Sequence, residues 1–138
     1  MPVKIQYLDG GKGVSFTVTG TITAEEFVKA NEEIYSRDLR AEPYLYCLVD
    51  FDSVQAIQAA AADVRRVANQ DLAASKDMPA TVIAVYAKGD LPFALARMWQ
   101  VFVEAANWDT KVFRSRADAV AWLKQRVLDR FGFRATVE

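Results

Sequence analysis

The sequence predicts an α/β domain: a single mixed five-stranded sheet, its first strand antiparallel and the rest parallel, with four helices on its faces. Three observations point there. Strand-period alternation opens the chain, and TVIAVYA is a continuous apolar, β-branched run of the kind found in strands covered on both faces. Helical patterns with start signals then stand between the later strands, where they serve as crossovers between parallel neighbours.

Val3, Ile5 and Tyr7 alternate with Lys4 and Gln6, and Val14, Phe16 and Val18 with Ser15, Thr17 and Thr19, which marks two half-buried strands. The intervening DGGKG is a turn, so the pair reads as an antiparallel hairpin. Thr23 and Glu26 make a capping box and Ile22 and Phe27 a hydrophobic staple, starting a helix near Ala24 whose inner face carries Phe27, Ala30 and Ile34. Pro43 closes the segment, and YLYCLV gives the third strand from about Tyr44. From Val54 the apolar residues Val54, Ile57, Ala61, Val64, Ala68 and Leu72 recur at three or four positions, predicting a second helix that begins directly after Ser53. TVIAVYA is the fourth strand. Asp90 and Pro92 open a third helix with Leu91, Leu95, Met98, Phe102 and Ala105 as its stripe. KVFR is a short fifth strand, and Ser115 with Asp118 starts a fourth helix facing inward through Ala117, Val120, Leu123, Val127 and Phe131. Residues 1–133 are expected to form the domain and residues 134–138 a loose tail.

A chain of 138 residues with 52% hydrophobic and 12% aromatic content suffices for one core. Its 17 basic and 18 acidic side chains leave no net field to recruit nucleic acid or an anionic membrane surface. Cys47 is the only cysteine, which excludes a disulfide framework within the chain and a cysteine metal cluster. No segment has the length of a signal peptide's apolar region or of a membrane span, so a soluble, cytoplasmic protein is expected. The chain has no histidine, and so lacks the usual general base, the usual activator of a serine or cysteine and the commonest metal ligand. No cofactor and no metal site are expected.

The order of TGTITAEEF, YCLVDF, TVIAVYA, FALARMW and KVFRSRADAVAWL resembles the STAS and SpoIIAA-like domains, a group described as sharing its fold with the small Sec14-type lipid-binding modules. The resemblance covers nearly the whole chain and implies binding or regulation rather than catalysis. In the anti-sigma-factor antagonists of that superfamily a serine at the start of the second helix is phosphorylated by a partner kinase, and its nearest match is Ser53. Those proteins carry an Asp-Ser-Ser-Gly type of turn where this chain reads Asp52, Ser53, Val54, Gln55.

In α/β sheets ligands meet the C-terminal ends of parallel strands, here the segments Gly20 to Thr23, Asp50 to Val54 and Lys88 to Phe93. Asp50, Asp52 and Ser53 read as a helix cap, which needs no further function, or as a phospho-acceptor site at Ser53. DFDSV also looks like the first motif of haloacid-dehalogenase-type phosphotransferases, with Asp50 as nucleophile, Asp52 as acid/base and magnesium between them, although it sits on the third strand and no second acid follows Gly89-Asp90 suitably. Phe93 and Arg97, with Glu104 further along the same helix, make either a solvated face or a surface that contacts an anion or a partner. Trp99 and Trp108 suit a pocket, an interface or the core, and Trp122 suits packing of the last helix. Cys47 reads as a buried, inert thiol, and Gly10, Gly11 and Gly13 as turn residues rather than a phosphate loop.

The leading expectation is a non-enzymatic regulatory domain that contacts a protein partner or a small acidic or nucleotide-like ligand through Asp50, Asp52, Ser53, Phe93, Arg97 and Trp99. The alternative is a small apolar or lipid-like ligand held between the third helix and the sheet, near Phe93, Met98, Trp99 and Phe102. The aromatic helix surfaces also fit a homodimer.

Overall fold

The computed structural model describes residues 2–138. The elements run β1 (Val3–Leu8), β2 (Gly13–Thr23), α1 (Ala24–Ile34), β3 (Tyr46–Gln58), α2 (Ala61–Ser75), β4 (Val82–Tyr86), α3 (Asp90–Phe102), β5 (Asp109–Phe113) and α4 (Arg116–Phe131). The strands lie side by side in chain order, β1 antiparallel to β2 and every later pair parallel. The class, strand directions and helix count are those that the sequence predicts.

The hairpin between β1 and β2 turns through Asp9–Gly11, where Gly10 and Gly11 take positive φ values of 66° and 89°. The capping box forms: the Glu26 N–H donates to Thr23 Oγ1 at 3.3 Å, and the Thr23 N–H to Glu26 Oε1 at 2.9 Å. All five residues of β4 are buried, as its unbroken apolar run requires. One face of the sheet carries α1, α2 and α3 over a core that includes Phe16, Val18, Cys47, Val49, Ile83 and Val85. The opposite face carries α4, whose Ala119, Leu123 and Val127 close on Tyr46, Leu48, Val82 and Ala84. Ala119 takes the buried position expected of Ala117, which is exposed.

Three expectations are corrected. First, β3 does not stop near Asp50 but continues to Gln58, so Val54 and Ile57 are strand residues and α2 begins only at Ala61. The cause is pairing. β4 accompanies β3 only as far as Asp50 opposite Tyr86, but β2 runs on beside it, with Thr19 facing Ser53, Gly20 facing Val54 and Ile22 facing Ile57. This two-stranded ribbon satisfies backbone groups that a helix start would have left open, and so overrides the helix-forming alanines. Gly20 to Thr23 and Asp50 to Val54 are therefore strand, not loop.

Second, the buried side of α3 is rotated. Ala96 is buried and Leu95 and Trp99 face inward, while Leu91 is 55% exposed and Ala105 lies beyond the helix in solvent. The helix is wedged between α2 and β5, which selects that face, and Phe102 instead carries the Arg65 guanidinium of α2 at 3.8 Å from its ring centre.

Third, residues 134–138 are ordered against the body. Ala135 and Val137 are buried with Tyr46 and Leu48, and Thr136 donates through its N–H and its hydroxyl to Asp9 at 3.1 and 2.9 Å. They complete a face of the sheet that α4 does not reach.

Candidate functional site

α2 packs against α1 and α3 rather than against the sheet. Beneath it lies a cavity of ≈ 120 Å³. Its floor is the sheet, through Phe16, Cys47, Val49 and Val85; its sides are Phe27 and Ile34 of α1 and Leu95, Ala96 and Trp99 of α3; its roof is Val64 and Val67 of α2. Ile22 and Ile57 of the β2–β3 ribbon line the end where α2 starts. Local sequence explains the space. The buried residue of α3 that faces it is Ala96, whose side chain is too short to span the gap.

Two carboxylates stand in this apolar wall, Asp63 at the start of α2 and, deeper and buried, Asp71. Asp71 is 5% exposed and lines the cavity. Its Oδ1 accepts from the Tyr35 hydroxyl at 2.7 Å and from Asn31 Nδ2 at 3.3 Å, and its Oδ2 accepts from Trp99 Nε1 at 2.7 Å. Burial disfavours the charged form and pushes the Asp71 carboxyl up to about 6, against the opposing hydrogen bonds from Tyr35 and Trp99. The same burial, with the Asp71 charge and hydrogen bond adding to it, raises Tyr35 well above the ordinary phenol range. Cys47 is likewise raised by burial and then by Asp71, so its thiol stays protonated and inert.

The residues singled out from the sequence divide between two faces. Trp99 is at the cavity, in direct contact with Asp71. Phe93 is near the start of α3 but takes the Arg114 guanidinium at 3.9 Å, and Arg97 is exposed on the outer side of the helix. Asp50 and Asp52 are on the sheet's other side. Asp50 accepts the Asp52 N–H at 2.8 Å and pairs with Arg116 at 3.1 Å, and Asp52 accepts the Tyr86 hydroxyl at 2.8 Å. That bond raises the Tyr86 phenol. Asp50 also borders a polar groove of ≈ 300 Å³ with Gln6, Ser15, Thr17 and Arg116. Ser53 is an exposed strand residue opposite Thr19, eight residues before α2 begins, and caps no helix. Both the cap reading and the favourable helix terminus for a phosphate at Ser53 are thereby lost.

Trp108 is buried and donates to the Met78 carbonyl at 2.8 Å, and Trp122 packs on Phe113. Met98 is half-buried away from the cavity. Among the described residues no group of three or more acidic or sulfur ligands is placed to hold a metal, and no helix is long and apolar enough to cross a membrane.

Sequence reading missed Asp71, Tyr35 and Asn31. Asp71 follows Val64 and Ala68 at helical spacing, and Asn31 follows Phe27 likewise, so each is a polar residue inside an apolar stripe. That was the available signal.

The SpoIIAA-like family model matches residues 14–124, from the second strand into the last helix. The chain belongs to the SpoIIAA-like family. Membership suggests a regulatory protein-interaction domain, and SpoIIAA-like domains are in general non-enzymatic. No curated protein matches the chain.

Proposed function

We propose that this SpoIIAA-like domain is a ligand-holding regulatory module, which takes a small, mainly apolar molecule into the cavity beneath α2 and presents the occupied state to a protein partner. The observation that carries the reading is the cavity itself. Protein interiors hold few voids larger than a water molecule, and an apolar void offers water too few polar partners. An apolar cavity of ~150 Å³ takes up benzene, so a single ring or a short alkyl chain is the size to expect. Trp99 and Tyr35 give the apolar wall its polar points, the usual make-up of a small-molecule site.

Native mass spectrometry of the purified protein, with Trp99 fluorescence titrations of small aromatic compounds, tests this. Ala96→Leu serves as a filled-cavity control: it is expected to raise stability and abolish uptake. Uptake unaffected by that substitution would refute the cavity as the site.

A second reading is favoured by Asp50, Asp52 and the polar groove beside them. Their carboxylates lie at the end of the sheet and suit contact with a basic segment of a partner. Asp50→Asn with Asp52→Asn should then remove partner capture while leaving ligand uptake unchanged.

A further inference from the structure

The charge on the cavity wall restricts the ligand further, given the reading that the cavity is a ligand site. Among the described residues lining it are two carboxyl side chains, Asp63 toward the start of α2 and Asp71 two turns deeper, and neither lysine nor arginine lines it. An ionised carboxylate accepts at about four positions on its two oxygens. Three are filled, two on Oδ1 by Tyr35 and Asn31 and one on Oδ2 by Trp99. We propose that the remaining acceptor position on Asp71 receives a cationic donor, and that the cavity therefore selects a small aromatic or alkyl amine over the corresponding carboxylic acid.

The energetics favour a cation. Burying a carboxylate is costly, and the folded protein carries that cost before any ligand arrives. An ammonium group brings its own desolvation but neutralises the charge already buried, and gains a charge-assisted hydrogen bond. An anionic ligand meets repulsion from Asp71 and finds no cation to offset it. An alcohol of the same size can donate to Asp71 but leaves its charge uncompensated.

Three compounds with one seven-carbon body separate these cases: benzylamine, benzyl alcohol and benzoate, titrated by calorimetry at pH 7.5 into wild type and Asp71→Asn. Amine binding about 10-fold or more tighter than both others is expected, the worth of one hydrogen bond to a charged group, with that preference lost in Asp71→Asn. Should the variant fail to fold, wild type alone gives the answer between pH 7.5 and 5. The groups facing Asp71 are Tyr35 and Asn31 from the α1 side, Trp99 from α3 and Cys47 from β3, with Asp63 on its own helix. Of these Asp71 is the group brought into that range, so amine affinity should fall at pH 5 while alcohol affinity stays constant. Carboxylate or alcohol binding as tight as amine would overturn the inference and leave the cavity reading intact. Failure of all three to bind would overturn both.

Discussion

Replacing Asp71 with asparagine should flatten the acid side of the protein's stability curve. In the unfolded chain this carboxyl titrates near 3.8, and in the fold burial pushes it up to about 6. The folded state therefore holds the proton more tightly, and stability contributed by the protonated form is fully present below about pH 4 and lost as pH rises through about 6. Two pKa units at 1.36 kcal/mol each make that loss about 3 kcal/mol. Asp71→Asn keeps the shape and removes the titration. It also turns an amide N–H₂ toward either Trp99 Nε1 or the Tyr35 and Asn31 donors, a mismatch worth about 1–3 kcal/mol. The absolute stability at pH 7 is thus a near-cancellation and decides little. The slope decides. Urea denaturation of both proteins at several pH values from 4.5 to 7.5 should give a wild-type stability that declines relative to the variant by about 2 kcal/mol across the range. Parallel curves would show that Asp71 is not held near 6, and with it would fall the argument that an uncompensated charge lines the cavity.

Gly13 lies against Tyr46, and a methyl group added there would overlap the phenol ring. Tyr46 is fully buried and donates to Asp9, so Gly13→Ala should cost about 3 kcal/mol or more, read as a fall in thermal midpoint of roughly 10 °C. Ser53→Asp changes an exposed strand position and should alter stability by no more than about 0.5 kcal/mol while leaving ligand uptake unchanged; a large loss would mean Ser53 is packed in solution. Deleting residues 134–138 exposes the surface under Val137 and Ala135 and removes the two Thr136 bonds to Asp9. The expected cost is about 2–4 kcal/mol by chemical denaturation, whereas a tail that merely trails would cost nothing.

Elements whose signals are local were legible in the sequence. The capping box at Thr23, the hairpin turn at Gly10 and the continuous apolar run of β4 each fix their structure within a few residues, and each appears where expected. The misreadings share a different origin. Val54, Ile57 and Ala61 have helical spacing, but Val54 and Ile57 are held extended by Gly20 and Ile22, more than 30 residues earlier in the chain. Strand pairing over such separation leaves no periodicity in the strand itself. The tail was misjudged for the same reason, because its anchor is Asp9 at the other end of the sequence. The placement of Asp50, Asp52 and Ser53 in a strand-to-helix loop has the same origin: they lie within β3, whose two faces separate Asp50 from the cavity that Cys47, Val49 and Phe51 line.

The over-long β3 and the cavity are one feature. Because β3 runs past the end of β4, the chain enters α2 from a ribbon that projects beyond the sheet, and the helix is set down across α1 and α3 instead of onto the strands. The small side chain of Ala96 then preserves the gap rather than fills it. A helix begun at Val54, as the apolar spacing suggests, would follow the sheet edge directly and could bury its stripe on the strands. The additional backbone pairing between Thr19–Thr23 and Ser53–Gln58 thus holds the roof of the cavity away from its floor.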